Sequence, residues 1–372
     1  MSPNSNKTVV VAMSGGVDSS VAALLLKQQG YNVVGMYMKN WEEGEDCPGA
    51  DDYEDVIRVC GQIDIPYYSV NFVKEYRENV FASFLKEYAA GHTPNPDILC
   101  NKEIKFKALM DKAFEFGADF LATGHYVRRR SSPEGVQLLK GKDPSKDQSY
   151  FLYAINGKVL EKVLFPVGEL EKKEVREIAR EFGLATAKKK DSTGICFIGK
   201  RDFKDFLGNY LEKKPGNFET LTGNVVGKHD GVAYYTIGQR KGLAIGGPGE
   251  AWFVVAKDIP KNIVYIEQGV RHPAMYADSL TATQCDWILG PPSFPFRCKA
   301  KIRYRQADQE CVITKSEGEI IFVEFAVPQR AITNRQSIVF YDDEICIGGA
   351  LIENRGLSYY ERKLPVPKQV SE

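Results

Sequence analysis

The chain is predicted to be an α/β protein: a doubly wound parallel sheet, a small helical/mixed central region, and an all-β C-terminal region. Three observations carry this. The stretch Val9–Gln29, VVVAMSGGVDSSVAALLLKQQ, reads as buried strand, glycine-rich turn and helix. Short apolar runs then alternate with helix-period segments to about residue 160. From Gly216 the character changes: glycines recur at 216, 223, 227, 231, 238 and 242 between short alternating stretches.

In the first unit, Val9–Ala12 is the strand, Ser14–Ser20 the turn and Val21–Leu26 the body of a helix that Gly30 closes. Gly15 and Gly16 let the backbone bend without Cβ clashes, and Ser14, Ser19 and Ser20 add hydroxyls. Free N–H groups at the helix start face whatever occupies the turn, and an anion fits there. No lysine follows the glycines, and the spacing is not G-x-G-x-x-G, so neither common nucleotide fingerprint applies. Asp18 either caps the helix or positions magnesium on a phosphate.

Val33–Met38 is a second strand, with Met38 placed to touch a nucleotide base or simply to pack. Lys39–Asp52 is an acidic loop, Tyr53–Ile63 a helix, Ile65–Val70 a strand and Phe72–Ala90 a long amphipathic helix. Gly91–Asn101, GHTPNPDILCN, reads as a stiff loop because of its two prolines, with Asn101 capping a helix from Glu103 to Phe116. Cys100 then lies just ahead of a helix start, which favours thiolate, while Asp97 opposes it. Ala118–Ala122 is a strand, followed by Thr123–Tyr126, the basic triplet Arg128–Arg130 and a hairpin-like piece at Val136–Leu139. Lys140, Lys142 and Lys146 extend the positive charge, and the run reads as a polyanion contact. A helix is expected from Gln148 to about Leu160, and another over Leu170–Phe182. Ala187–Gly199, AKKKDSTGICFIG, is a loop or edge strand carrying Cys196, and Asp202–Leu211 a short helix. The β region is a small barrel or a sandwich, and residues 360–372 read as a polar tail.

Composition bounds the rest. The 372 residues suit two or three domains, and Lys+Arg equals Asp+Glu at 49 each, so global charge does not announce nucleic acid. No apolar run spans a membrane and residues 1–7 are unlike a secretory signal, so a cytoplasmic protein is expected. The eight cysteines form no C-x-x-C pair, which argues against a zinc knuckle or a disulfide framework. Cys100 and Cys196 each stand in a polar loop; they are either inert thiols or a pair that exchanges sulfur across one cleft.

The stretches AMSGGVDSSVAALLL (12–26), GHTPNPDILCN (91–101), ATGHY (122–126), KDQSYFLY (146–153), DSTGICFIG (191–199), YYTIGQRKGLAIGG (234–247), RYRQ (303–306) and RQSIVFY (335–341) together resemble the tRNA-specific 2-thiouridylases, over essentially the whole chain. Their SGG-x-D-S loop is that of the wider ATP pyrophosphatase superfamily. The resemblance implies an ATP pyrophosphatase domain at 1–164, a small central domain at 165–215 and a β-barrel-like domain at 216–372 that contacts tRNA. It implies replacement of the C2 oxygen of the wobble uridine of tRNA Lys, Glu and Gln by sulfur, with ATP and Mg²⁺, and a persulfide-donating partner protein, the enzyme being a monomer on its own. Carried onto this sequence, Ala12, Met13, Ser14, Gly15, Gly16, Val17, Asp18, Ser19, Met38 and Gly124 bind ATP. Asn95, Pro96 and Asp97 meet the target base, with Asp97 the acid/base group. Cys100 is the nucleophile and Cys196 the persulfide carrier. His125, Lys146, Asp147, Gln148, Arg303, Tyr304 and Gln336 contact tRNA. Two rivals are an adenylating enzyme of the same superfamily acting on a small substrate, and a non-catalytic RNA-binding protein that senses ATP.

Overall fold

The computed structural model describes residues 4–42, 49–191, 195, 197–199 and 201–371. Because Val9, Val10 and Val11 are apolar on both faces, β1 (Thr8–Met13) sits at the centre of a sheet and is almost fully buried. β2 (Asn32–Lys39), β3 (Tyr67–Asn71) and β4 (Phe120–Ala122) pair in parallel around it. A hairpin follows, β5 (Val127–Ser132) and β6 (Gly135–Lys140), and then β7 (Val163–Leu164) completes the sheet in the order β3-β2-β1-β4-β7. The chain winds outward from β1 through β2 and β3, then returns to β4 on the other side. The loops leaving β1 and β4 therefore part from each other, which opens a crevice at the C-terminal ends of those strands.

Helix α1 (Val17–Gln28) and helix α2 (Gly49–Ile63) flank the sheet. A continuous helix, α3, covers 73–89 with a π-type turn at Arg77–Phe81. The next, α4, covers 96–115 and is π-wound over Cys100–Ala108. α5 (Lys172–Glu181) opens with a reciprocal capping box between Glu171 and Glu174, and α6 (Phe203–Gly208) is capped by Asp202.

The β region forms two sheets. β8 (Gly216–Glu219), β9 (Val225–His229), β10 (Trp252–Asp258) and β11 (Ile263–Gln268) pair in the order β10-β11-β8-β9. β12 (Tyr276–Trp287), β13 (Phe296–Lys301), β14 (Gln309–Glu317), β15 (Ile320–Arg330), β16 (Ser337–Asp342) and β17 (Ile345–Arg355) close into a six-stranded barrel, because β12 pairs with both β15 and β17. Ile313, Val323, Ile338, Phe340 and Ile352 fill it. Closure selects the barrel over the sandwich.

Several sequence expectations need correction. The helix expected from Glu103 begins at Pro96, because proline at the first helical position is pre-set for helix and Asn95 caps it by accepting from the Asp97 N–H at 3.1 Å. Asn101 is no cap; it lies inside α4 and its amide donates to the Phe151 carbonyl at 3.1 Å. The helix expected over Gln148–Leu160 is only a 3₁₀ turn at Ser149–Phe151 and a short helix at Gly157–Leu160, since Tyr150 and Tyr153 are drawn away to hydrogen-bond Ser337 in the barrel. Much of the basic run is paired within the chain, while Arg130, Lys142 and Lys146 keep exposed surface. Arg128 and Arg130 pair with Glu344, Arg129 binds the carbonyls of Leu160 and Glu161, and Lys140 pairs with Asp308. The hairpin bearing it adds to β17 of the barrel through Leu138 and Leu139. The expected tail is packed: Val366 and Val370 join an apolar cluster, and the Ser371 hydroxyl accepts from the Arg330 N–H.

Candidate active site

The glycine-rich turn fits an anion. Gly16 precedes α1 and no side chain caps that helix, so its first N–H groups point outward. Gly15 adopts φ +71°, and a Cβ there would lie 2.5 Å from the Asp52 carbonyl oxygen, so only glycine fits. The Ser19 hydroxyl accepts from the Ser14 N–H and donates to the Gly16 carbonyl, holding the turn shut on itself. Ser14 is exposed, whereas Ala12, Met13 and Val17 are buried in the core, so these three shape the loop through their backbone. Gly124, leaving β4, lies against the first turn of α1; a Cβ would come within 2.7 Å of the Asp18 carbonyl carbon and the Ser19 nitrogen. Met38 packs partly buried against the main apolar core.

Asp18 is the charged centre of this end. Its carboxylate accepts from Lys172 Nζ at 2.7 and 2.8 Å and from the Tyr126 hydroxyl at 2.7 Å. Lys172 also reaches Asp191 at 2.9 Å, and Lys146 and Arg176 reach the same carboxylate at 2.8 and 2.6 Å. Burial alone raises the Asp191 pKa, but the bonds from Lys146 and Lys172 outweigh it and hold the carboxyl well below its usual range. Sequence reading missed Lys172, since a lysine on a charged amphipathic helix looks solvated; its place at the start of α5, next to the capping box, was the available signal.

Both oxygens of Asp18 are thus engaged, and among the described residues no group of three His, Cys, Asp or Glu side chains is arranged to hold a metal. Among the described residues, no side-chain cluster fits an Mg²⁺ held by the protein alone.

The second loop is built around α4. Asp97 keeps solvent access, yet the dense surrounding protein raises its carboxyl pKa, with Lys105 opposing. Cys100 is buried one turn further along. Asn95 and Pro96 form the helix start itself. Ahead of them the loop is gripped from both β sheets. Lys257 of β10 donates to the carbonyls of Gly91 and Tyr235, the Thr93 and Thr236 hydroxyls lie 3.2 Å apart, and Gln336 donates to the Thr93 carbonyl.

Cys196 lies outside the described residues. Its described flanks are anchored on both sides. Asp191 is held by the cationic cluster above. Phe197, 1% exposed, sits among Trp41, Tyr76, Phe81 and Phe84, its ring centroid 5.5 Å from that of Trp41. Trp41 follows the C-terminal end of β2, so these contacts bring residue 197 to the crevice edge of the sheet.

The expected tRNA contacts divide. His125 is buried, bonded to the Thr123 hydroxyl at 2.8 Å and held well below its ordinary pKa by burial and by Lys105, so it is neutral and internal. Asp147 is likewise buried and accepts from Gly141 and Ser149, and the Gln148 amide oxygen accepts from the Tyr126 N–H. The buried His125 and Asp147 side chains are thus engaged inside the protein, while Gln148 keeps partial exposure. Lys146, Arg303, Tyr304 and Gln336 retain partial exposure. Tyr304 lies against Phe151, centroids 4.4 Å apart.

Comparison with known proteins agrees with this layout. Residues 7–200 match the model of the tRNA methyl transferase HUP domain, 204–268 the tRNA methyl transferase PRC-barrel domain, and 277–352 the aminomethyltransferase beta-barrel domain. The chain is 58% identical over 367 residues, 98% of each chain, to the tRNA-specific 2-thiouridylase MnmA of Protochlamydia amoebophila. It is 56% identical to the protein of that name from Bacillus subtilis, covering 93% of this chain and 95% of that one. Among the described residues, no helix is long and apolar enough to cross a membrane.

Proposed function

Because the chain belongs to the tRNA-specific 2-thiouridylase family, we propose that it is an ATP-dependent tRNA sulfurtransferase that replaces the C2 oxygen of the wobble uridine of tRNA Lys, Glu and Gln with sulfur. The observation that carries this for the chain's own residues is Lys172, which joins Asp18 at the glycine-rich turn to Asp191 beside the segment of the second cysteine. This supports a reading in which the glycine-rich turn and the segment of the second cysteine serve one crevice.

On this reading residues 1–164 hold the nucleotide, 165–215 bring the second thiol and 216–372 meet the RNA. The target uridine must leave its stack, since its C2 oxygen is unreachable within it. Backbone N–H groups at the start of α1 stabilise the phosphate charge as ATP adenylates that oxygen and pyrophosphate leaves. Asp97, with its raised pKa, holds or releases a proton at the base. Magnesium would come with the triphosphate, since among the described residues no side-chain cluster is arranged to hold it.

A donor protein loads Cys196 with a terminal sulfur. Either that sulfur attacks C2 and expels AMP, after which Cys100 attacks Cys196 Sγ and frees the thiouridine, or Cys100 attacks first and releases sulfide that displaces AMP. Both orders end in a Cys100–Cys196 disulfide, which an external thiol reduces with two electrons. The enzyme works as a cytoplasmic monomer.

The test is reconstitution of the full chain with unmodified tRNA, ATP, Mg²⁺ and a sulfide source, followed by nucleoside analysis. 2-Thiouridine is expected, and Cys100→Ser or Cys196→Ser should abolish its formation from a persulfide donor. Wild-type protein that yields none, or serine variants that yield it undiminished, would overturn the reading.

A further inference from the structure

Arg303 and Arg330 meet where the barrel abuts the four-stranded sheet. Arg303 follows β13, and its Nη2 donates to the carbonyl of Arg330, the last residue of β15. The Arg330 guanidinium lies over the Phe253 ring, 5.1 Å from its centroid, with Nη2 4.0 Å from the Met275 sulfur. The Nε of each arginine is buried and has no hydrogen-bond partner. Among the described residues neither arginine is paired with a carboxylate, unlike Arg128, Arg176, Arg335 and Arg362. Arg362 makes the contrast plain: its Nε is also unpartnered, but Asp278 holds its Nη1 at 3.0 and 2.9 Å.

Burial first, and then the charge of Arg330, hold Arg303 below its usual pKa. Adjacent like charges, partly withdrawn from water, destabilise the fold unless an anion joins them. A planar guanidinium offers a fork of donors that matches phosphate. The neighbourhood suits an RNA strand: Tyr304 is partly exposed beside Arg303, and Gln336 lies six residues beyond Arg330.

We propose that Arg303 and Arg330 jointly bind one backbone phosphate of the tRNA, with Arg330 a contact that the sequence motifs do not assign. The proposal rests on the tRNA-modifying reading given above. It is tested on the full chain by fluorescence anisotropy of an unmodified tRNA transcript across a KCl series, for wild type, Arg330→Gln and Arg330→Lys. Arg330→Gln should bind several-fold more weakly, with a slope of log affinity against log salt shallower by about one. Arg330→Lys keeps the charge and its place over Phe253, and should keep the wild-type slope. A glutamine variant that binds like wild type, or binds more weakly with an unchanged slope, overturns the contact; the second outcome would mark a packing defect. If inorganic phosphate raises the thermal midpoint of wild type but not of Arg330→Gln while the tRNA slopes coincide, the pair takes a free anion and the RNA contact is overturned. Failure of wild type to bind tRNA at all would instead strike the functional reading.

Discussion

Lys257 donates its ammonium to the carbonyl oxygen of Gly91, tying the four-stranded sheet to the loop that leads into Asn95, Asp97 and Cys100. Burial pushes the Lys257 pKa down from 10.5 to about 8, with no carboxylate among the described residues to offset it. A depressed folded pKa means that the folded chain sheds its proton before the unfolded chain does. Between about pH 8 and 10.5 the unfolded state holds more protons, so stability gains as pH rises through this window. Lys257→Met removes that gain. Chemical denaturation at neutral and at alkaline pH should therefore show the difference between wild type and variant moving in favour of wild type as pH rises. At neutral pH the variant should thiolate tRNA at least about tenfold more slowly, because Gly91 loses its anchor. A stability difference independent of pH would refute the assignment.

Asp97 carries the opposite liability. Its raised pKa means that burial penalises the ionised form, so the stability it contributes is complete in acid and is lost as pH rises through the folded value. Asp97→Asn should unfold at the same or a higher temperature than wild type at neutral pH, and lose that advantage in acid. Single-turnover thiolation should fall by about a hundredfold or more. A variant that loses stability at neutral pH, or keeps its rate, would remove Asp97 from acid/base duty.

Two glycines separate function from propensity. Gly124→Ala drives a methyl group into the backbone of α1 at Asp18 and Ser19. It should raise the KM for ATP and cost about 1–3 kcal/mol of stability. Gly61→Ala, inside α2 with nothing within 4 Å of the new Cβ, should stabilise by up to about 1 kcal/mol and leave the KM unchanged. Equilibrium denaturation and ATP titration of both variants check the pair.

Lys172→Met removes the cation shared by Asp18 and Asp191, itself 12% exposed, leaving the Tyr126 hydroxyl on Asp18 and Lys146 and Arg176 on Asp191. Breaking such a pair costs about 3–5 kcal/mol when fully buried, and less here because each carboxylate is roughly one-third exposed. The KM for ATP should rise, and limited proteolysis should cut the 187–199 stretch faster. Unchanged cleavage would detach that stretch from the cluster.

The sequence was most informative where one local rule acted alone. Val9–Val11 and the glycine-rich turn are found as a buried strand and a turn, and the helix after them is present but begins at Val17 rather than Val21. Reading failed where a residue had two meanings. Pro96 looked like a breaker but serves as the first residue of a helix. Arg128 and Arg129 looked like surface charge, yet Glu344 and the carbonyls of Leu160 and Glu161 take them up, while Arg130 stays about half exposed. Those partners lie far away in the chain or on a face that periodicity does not mark. His125 and Asp147 belong to recognisable motifs, but burial gives them an internal role.

The hairpin at 127–140 has one further consequence. Because β6 borrows β17 as its neighbour, the N-terminal half and the barrel share a seam of backbone hydrogen bonds and cannot be cut apart cleanly. A fragment ending near residue 200 would leave this hairpin with a bare flank, and Leu138 and Leu139 would lose their cover. Such a fragment should clump through strand addition rather than persist as a lone folded unit.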